Sequence, residues 1–235
     1  MDTKTRHSLK QDRFAKATAS SMSWLSLHRS GVMRLVIVAV VVLVAGASAL
    51  IYWSWSSTKA DSALGAAMDT YSMPLAQPGA PAASGVYTTA ADRAKAANQQ
   101  FVAVARQYGW LSESAKAHYF AGVTYEELGN NTSAETELKA AAGAWDRNLA
   151  NLAKLALAGL YHQMDRDAEA INIYNALAAK PSETVPAAVA QLDLAELYKE
   201  EGKTDQARKL WAAVKDANKD GMAGSIAAQK LAGKQ

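Results

Sequence analysis

Two hydrophobic patterns divide the chain. From Leu35 to Trp53 the pattern is continuous, and LVIVAVVVLVAGASALIYW holds 19 residues without a charge. At about 1.5 Å of rise per residue, such a helix reaches the roughly 30 Å hydrocarbon thickness of a bilayer, which predicts a membrane-spanning helix over 34–56. Beyond Trp55 apolar residues return every three or four positions, the spacing of amphipathic helices. Ala63, Leu64, Ala67, Met68 and Tyr71 form one such face, and no Gly-Pro break separates it from the apolar run, so the two can be one helix. SMPLAQPGAPAASGVYTTA interrupts the pattern, because Pro74, Pro78, Pro81, Gly79 and Gly85 cannot sustain a helix and predict an exposed loop over 72–90. Helix resumes near Ala91, with Ala97, Phe101 and Val104 inward, and ends near Tyr108 to Trp110.

From Ser114 the pattern repeats. A small residue (Gly122, Ala158, Ala195) precedes a tyrosine (Tyr125, Tyr161, Tyr198) by three, an alanine (Ala134, Ala170, Ala207) follows nine later, and a large apolar residue (Leu138, Tyr174, Trp211) four beyond that. Between them stands a residue able to adopt positive φ: Gly129, Asp165 or Gly202. This spacing predicts helical hairpins, since two helices approach closely only where both carry little side chain, and the larger residues fill the groove beside the crossing. The tyrosine intervals of 36 and 37 resemble the tetratricopeptide repeat, whose period is about 34 and whose pattern runs W-x₂-L-G-x₂-Y, then A-x₃-F, then P. His118, Lys154 and Gln191 depart from it at the leading tryptophan, and only the second repeat carries a closing proline, Pro181. The expected class is all-α: a solenoid of hairpins preceded by one transmembrane helix. A divergent repeat over 60–110 precedes repeats near 115–146, 151–182 and 187–219, and a helix over 221–233 caps the stack.

Charge orients the membrane helix. Residues 1 to 34 carry Lys4, Arg6, Lys10, Arg13, Lys16, Arg29 and Arg34 against Asp2 and Asp12, a net of +5; with +3 for the whole chain, the remainder is close to −2. Positive flanks stay in the cytoplasm, so 1–33 is expected there, as a basic tail with an interfacial helix between Leu9 and His28, and 57–235 is expected in the periplasm. Tyr52, Trp53 and Trp55 follow the apolar run where an aromatic belt meets the headgroups, so lipid contact is expected over 35–55. Ala45, Ala47 and Ala49 offer signal-peptidase sites, but the long basic segment and the continuation to the aromatic pair favour an uncleaved anchor. With no cysteine, attachment as a lipoprotein is excluded.

Little points to chemistry. His7, His28, His118 and His162 are scattered and lack cysteine companions, so neither metal ligation nor a catalytic site is expected. Asp216, Asn218, Asp220 and Gly221 match the start of a calcium loop, but Ala227 stands where the bidentate glutamate belongs. No phosphate-cradling glycine loop or nucleophile elbow occurs, and the modest charge is no nucleic-acid signature. No cofactor or small-molecule substrate is expected.

KQDRF in the basic tail, one anchor ending in aromatics, KADSALGAAMDTY and the repeat array together resemble the ancillary SecYEG translocon subunit family, the YfgM-like inner-membrane proteins, over roughly residues 8 to 232. That resemblance implies a non-enzymatic periplasmic module beside the export channel, with the translocon, periplasmic chaperones or unfolded translocated clients as partners. An envelope-assembly or cell-division scaffold with the same repeat is the alternative. In tetratricopeptide arrays the first helices line the binding face, which here implies Tyr119, Val123, Glu126, Leu155, Gly159, His162, Leu192, Glu196 and Lys199. Leu155 and Leu192 read equally well as inter-repeat core, and Glu126-Glu127 and Glu200-Glu201 as solvated charge. The set lacks the basic cluster that grips a terminal carboxylate, so a tail clamp is disfavoured. Protease added outside sealed spheroplasts should digest the tyrosine-bearing portion and spare the basic tail; protection of that portion would reverse the assigned orientation.

Overall fold

The computed structural model describes residues 29–76 and 86–233, and the regular structure among them is α-helical. The interfacial helix expected between Leu9 and His28, and the middle of the 72–90 loop, lie outside the described residues. Contacts divide the chain into two units, Met1–Trp55 and Ser56–Gln235.

Helix α1 (Arg29–Ser72) is 44 residues long and runs on without interruption past the aromatic residues that close the apolar run. It is, among the described residues, the one helix long and apolar enough to cross a membrane. In the first unit Leu35, Val41, Leu43, Leu50 and Ile51 are all exposed, the arrangement of a helix whose apolar side chains are not buried among the described residues. Ser48 donates its hydroxyl to the Val44 carbonyl at 2.9 Å, so the polar group within the run is satisfied by its own helix.

The second unit holds the end of α1 and eight further helices among the described residues: α2 (Ala90–Gln107), α3 (Ser112–Glu127), α4 (Asn131–Ala142), α5 (Arg147–Gln163), α6 (Asp167–Ala179), α7 (Ala187–Glu200), α8 (Thr204–Ala217) and α9 (Met222–Leu231). From α2 onward each helix packs on the next in chain order, and in addition α3 touches α5 and α7 touches α9. Contacts are therefore local in sequence, and the core comes in pieces. One piece joins Leu64 and Ala67 of α1 to Phe101 and Val104 of α2 and to Ala117 and Ala121 of α3. There Phe101 stacks on Phe120, with ring centres 5.3 Å apart, and meets the edge of Tyr71. A second spans α4 to α7 through Leu138, Leu160, Tyr161, Tyr174 and Leu197, and a third gathers Ala195, Trp211, Val214 and Ala227 at the end of the chain.

The reversals within hairpins are built alike. Gly129, Asp165 and Gly202 adopt φ of 71°, 56° and 77°. The amide after each donates back across the turn: Asn130 to the Tyr125 carbonyl, Arg166 to Tyr161 and Lys203 to Tyr198, at 2.8, 2.8 and 2.7 Å. The three repeat tyrosines thus supply the carbonyls that close three helix ends, the long bond of a Schellman motif. The shorter bond of the same motif runs from Gly129, Asp165 and Gly202 to the carbonyls of Glu126, His162 and Lys199. The following helix starts differ: Asn130 and Asp146 cap α4 and α5 with their side chains, whereas α6 and α8 have no side-chain cap.

Close approach is tightest at Gly122. A Cβ there would lie 2.6 Å from Leu138 Cγ and 3.2 Å from the Leu138 amide nitrogen, so α3 and α4 touch because one of them has no side chain at that point. Gly122→Ala should lower stability by about 1–3 kcal/mol, the usual cost of overpacking, read as a lower urea midpoint for helix loss. In a Leu138→Ala background, itself destabilised by loss of a buried side chain, the further cost of Gly122→Ala should be smaller than in the native chain; an equal cost in both backgrounds would show that Gly122 does not make room for the Leu138 side chain.

Candidate functional site

The residues singled out in the sequence lie on α3, α5 and α7, the first helices of three consecutive hairpins. Lys199 is exposed and the other eight are half-buried. Tyr119 packs on the central core piece and edge-on against Phe120; burial, with the nearby Glu126 carboxylate adding to it, pushes its hydroxyl above the usual phenol range. Leu155 packs against the α4–α7 piece and against a fourth formed by Leu177, Val185 and Ala190, and Leu192 against the piece at the end of the chain, so both take part in core packing. Gly159 has nothing within 4 Å of where a Cβ would stand, which leaves a gap in the face.

The polar members are tied across helices. Gln163 of α5 donates to Glu126 of α3 at 2.6 Å. His162 places one ring nitrogen 2.7 Å from Asp167 and the other 2.7 Å from Glu200 of α7. Glu196 pairs with Lys199 at 3.7 Å and with Lys230 of α9 at 2.8 Å. The carboxyl-terminal ends of α3, α5 and α7 are therefore linked side chain to side chain. Glu126 and Glu200 are not simply solvated, and Glu127 accepts from Tyr71, while Glu201 pairs within its own turn with Lys203. The chain matches no protein-family model and no curated protein.

Sequence reasoning missed Gln163, Asp167 and Glu200 as partners. Their separations carried a usable signal: Glu126 and Gln163 are 37 apart and His162 and Glu200 are 38 apart, close to the tyrosine interval, so equivalent positions of adjacent repeats meet. It also missed a compact ionic cluster. Glu135 of α4 accepts from Lys139 at 2.7 Å, from Arg166 at 2.8 Å and from the Tyr161 hydroxyl at 3.0 Å. Arg166 lies 4.1 Å above the Tyr161 ring, so the tyrosine that closes the α5 turn also seats the cation. Lys139, Arg166 and Tyr161 hold the Glu135 carboxyl far below the usual range, down to about 2. Asp167, and beyond it Glu200, raise the His162 imidazolium above its ordinary 6.5 against the opposing cost of burial. Chemically the face can hydrogen-bond and bury apolar side chains. Among the described residues no group of three or more His, Cys, Asp or Glu side chains gathers as for a metal ion.

Both shifts predict pH-dependent stability, with opposite signs. The Glu135 contribution is complete above its unfolded value of 4.5 and disappears as pH falls through about 2, so the deficit of Glu135→Gln should fade as acid is added. At neutral pH that deficit should be about 1.5–3 kcal/mol, the worth of a hydrogen bond to a charged group. The His162 contribution is complete below 6.5 and lost as pH rises through its higher folded value. His162→Gln should therefore be less stable than the native chain at pH 6 and converge on it under alkaline conditions, as followed by thermal melts. Curves for either variant that parallel the native one at every pH would remove these pairs from the stability of the fold.

Proposed function

We propose that this is a single-pass inner-membrane protein whose second unit is a tetratricopeptide-like solenoid in the periplasm, binding proteins and performing no chemistry. Its place is beside the SecYEG channel, as an ancillary subunit that receives translocated polypeptides and hands them on within a chaperone network. The observation that carries the reading is the joining of three consecutive first helices by Glu126–Gln163 and His162–Glu200. A recognition face of this fold class consists of first helices held in register.

Three further features support it. The same positive-φ turn recurs at Gly129, Asp165 and Gly202, as a repeat requires. Half-buried Tyr119 and Val123, beside the gap at Gly159, offer apolar contact without a fixed charge pattern, which suits clients of varied sequence. An uninterrupted α1 ties such a face to the apolar segment. The periplasmic location rests on the basic residues before that segment.

Photo-crosslinking from Val123 and from Gly159 in intact membranes tests this function. Adducts to translocon subunits and to newly exported chains are expected, with none above background from Thr132, which is exposed at the start of α4. Equal background at all three positions would exclude these helices as the binding face. Adducts confined to division-site proteins would favour the scaffold instead.

A further inference from the structure

The joint between the second and third hairpins differs from its neighbours. Helix α3 packs on α5, and α7 on α9, whereas α5 and α7 have no comparable direct packing and meet through the core piece they share with α4 and α6. The connection 180–186 between α6 and α7 is also the longest between α2 and α9. One end of this joint is pinned by bonds to backbone carbonyls. Arg147 and Asn151 of α5 donate to Pro181 and Lys180 at 2.9 and 3.3 Å, and Thr184 donates to the Asn148 carbonyl at 2.7 Å. None of these partners titrates near neutral pH. At the other end, among the described residues, a single polar tie crosses from α5 to α7, between His162 and Glu200 at 2.7 Å.

That tie is made by a group with two states. Asp167 in the first turn of α6 faces the other ring nitrogen at 2.7 Å, so both nitrogens stand against carboxylates. An imidazolium donates from both. A neutral imidazole has one N–H, and whichever nitrogen keeps it, the other turns a lone pair toward a carboxylate. Glu200 is the partner free to leave, because its side chain is 60% exposed against 30% for Asp167, and Asp167 follows the short turn that Arg166 closes onto Tyr161. The other charges around the ring are engaged elsewhere or exposed. Glu126 of α3 is bonded to Gln163, Glu135 and Lys139 of α4 pair with each other, and Arg166 joins Glu135 to Glu169 of α6. On the α7 side Glu196 pairs with Lys199 and Lys230, and Glu201 with Lys203, while Asp165 of the intervening turn is exposed.

We propose that His162 is a proton-operated latch on a hinge: charged, it holds the carboxyl-terminal ends of α5 and α7 together, and on losing its proton it frees Glu200, so that the third hairpin swings about the pinned end. Opening widens the face beside the gap at Gly159. The latch is shut below 6.5, the ordinary value of the ring, and opens as pH rises through the higher value that Asp167 and Glu200 impose. What the opening does to a bound protein rests on the function proposed above, whereas the motion belongs to the fold alone.

The chain has no cysteine, so paired spin labels report on this joint in the full-length protein in lipid nanodiscs. Asn172→Cys with Gln206→Cys spans the latch end and Ala179→Cys with Ala213→Cys the pinned end, all four positions being exposed. From pH 6 to pH 9 the distance distribution between 172 and 206 should shift to longer values and broaden, with a midpoint above 6.5, while that between 179 and 213 stays unchanged. His162→Ala should give the long distribution at both pH values. Glu200→Gln, a change at an exposed side chain, should give the short one at both, because an amide accepts from the imidazolium and donates to the neutral ring. A native distribution between 172 and 206 that ignores pH overturns the latch, as does a lengthening that survives Glu200→Gln. Equal lengthening at both label pairs is loosening of the whole unit and overturns the hinge. These distances are read with no client present, so a failed latch leaves the crosslinking expected from Val123 and Gly159 in place, and failed crosslinking leaves the distances in place.

Discussion

A helix that must reverse within three residues leaves its last carbonyls without intrahelical donors, and this chain answers that demand the same way at Gly129, Asp165 and Gly202. The positive φ at each position turns the next amide back onto the carbonyl of a tyrosine one turn earlier. Everything downstream in the packing follows from that reversal. Once the second helix is aimed back along the first, contact between them depends on the residue facing the crossing, and Gly122 against Leu138 shows how little room remains. Asp165 meets the same demand with a side chain, at the conformational cost that glycine avoids.

Because each reversal is local, the second unit has no single centre. Its core is a series of pieces, each shared between one helix pair and the next, and among the described residues no helix beyond α1 exceeds 18 residues. Such an arrangement is stabilised mainly by neighbours. Polar ties supplement it where hairpins meet: Asn98 of α2 donates to the Ala121 carbonyl and the Thr124 hydroxyl of α3. Arg147 of α5 reaches the Pro181 carbonyl after α6, and Thr184 donates to the Asn148 carbonyl. The Arg147 and Thr184 bonds join residues 34 and 36 apart, close to the tyrosine interval, whereas the two Asn98 bonds span 23 and 26.

The two ends of the hairpins differ in what they offer a partner. Carboxylates crowd the ends where first helix turns into second, and several are committed to neighbours: Glu126 to Gln163, Glu200 to His162, and Glu135 to Lys139, Arg166 and Tyr161. Commitment of this kind rigidifies the face and leaves Tyr119, Val123 and the space at Gly159 as its adaptable part. The turns between hairpins instead carry Trp110, 55% exposed, and Trp145, fully exposed.

Helix positions and reversals were legible in the residues, because both depend on short-range rules. An uncharged run sets a helix long enough for a bilayer, prolines close one helix, and a glycine or aspartate four residues after the recurring tyrosine and five before the recurring alanine marks a turn. The close contact at Gly122 could be anticipated for the same reason, since a crossing point selects for missing atoms. Pairing was decided only by the tertiary structure. Nothing local distinguishes Glu200, which meets His162 of the preceding hairpin, from Glu201, which meets Lys203 in its own turn. Nor does chain order bring Trp110 and Trp145 to one cavity, since they belong to turns separated by an entire hairpin. Side chains on one helix are placed by its own pitch, whereas partners on different helices are placed by the angle and offset at which those helices cross.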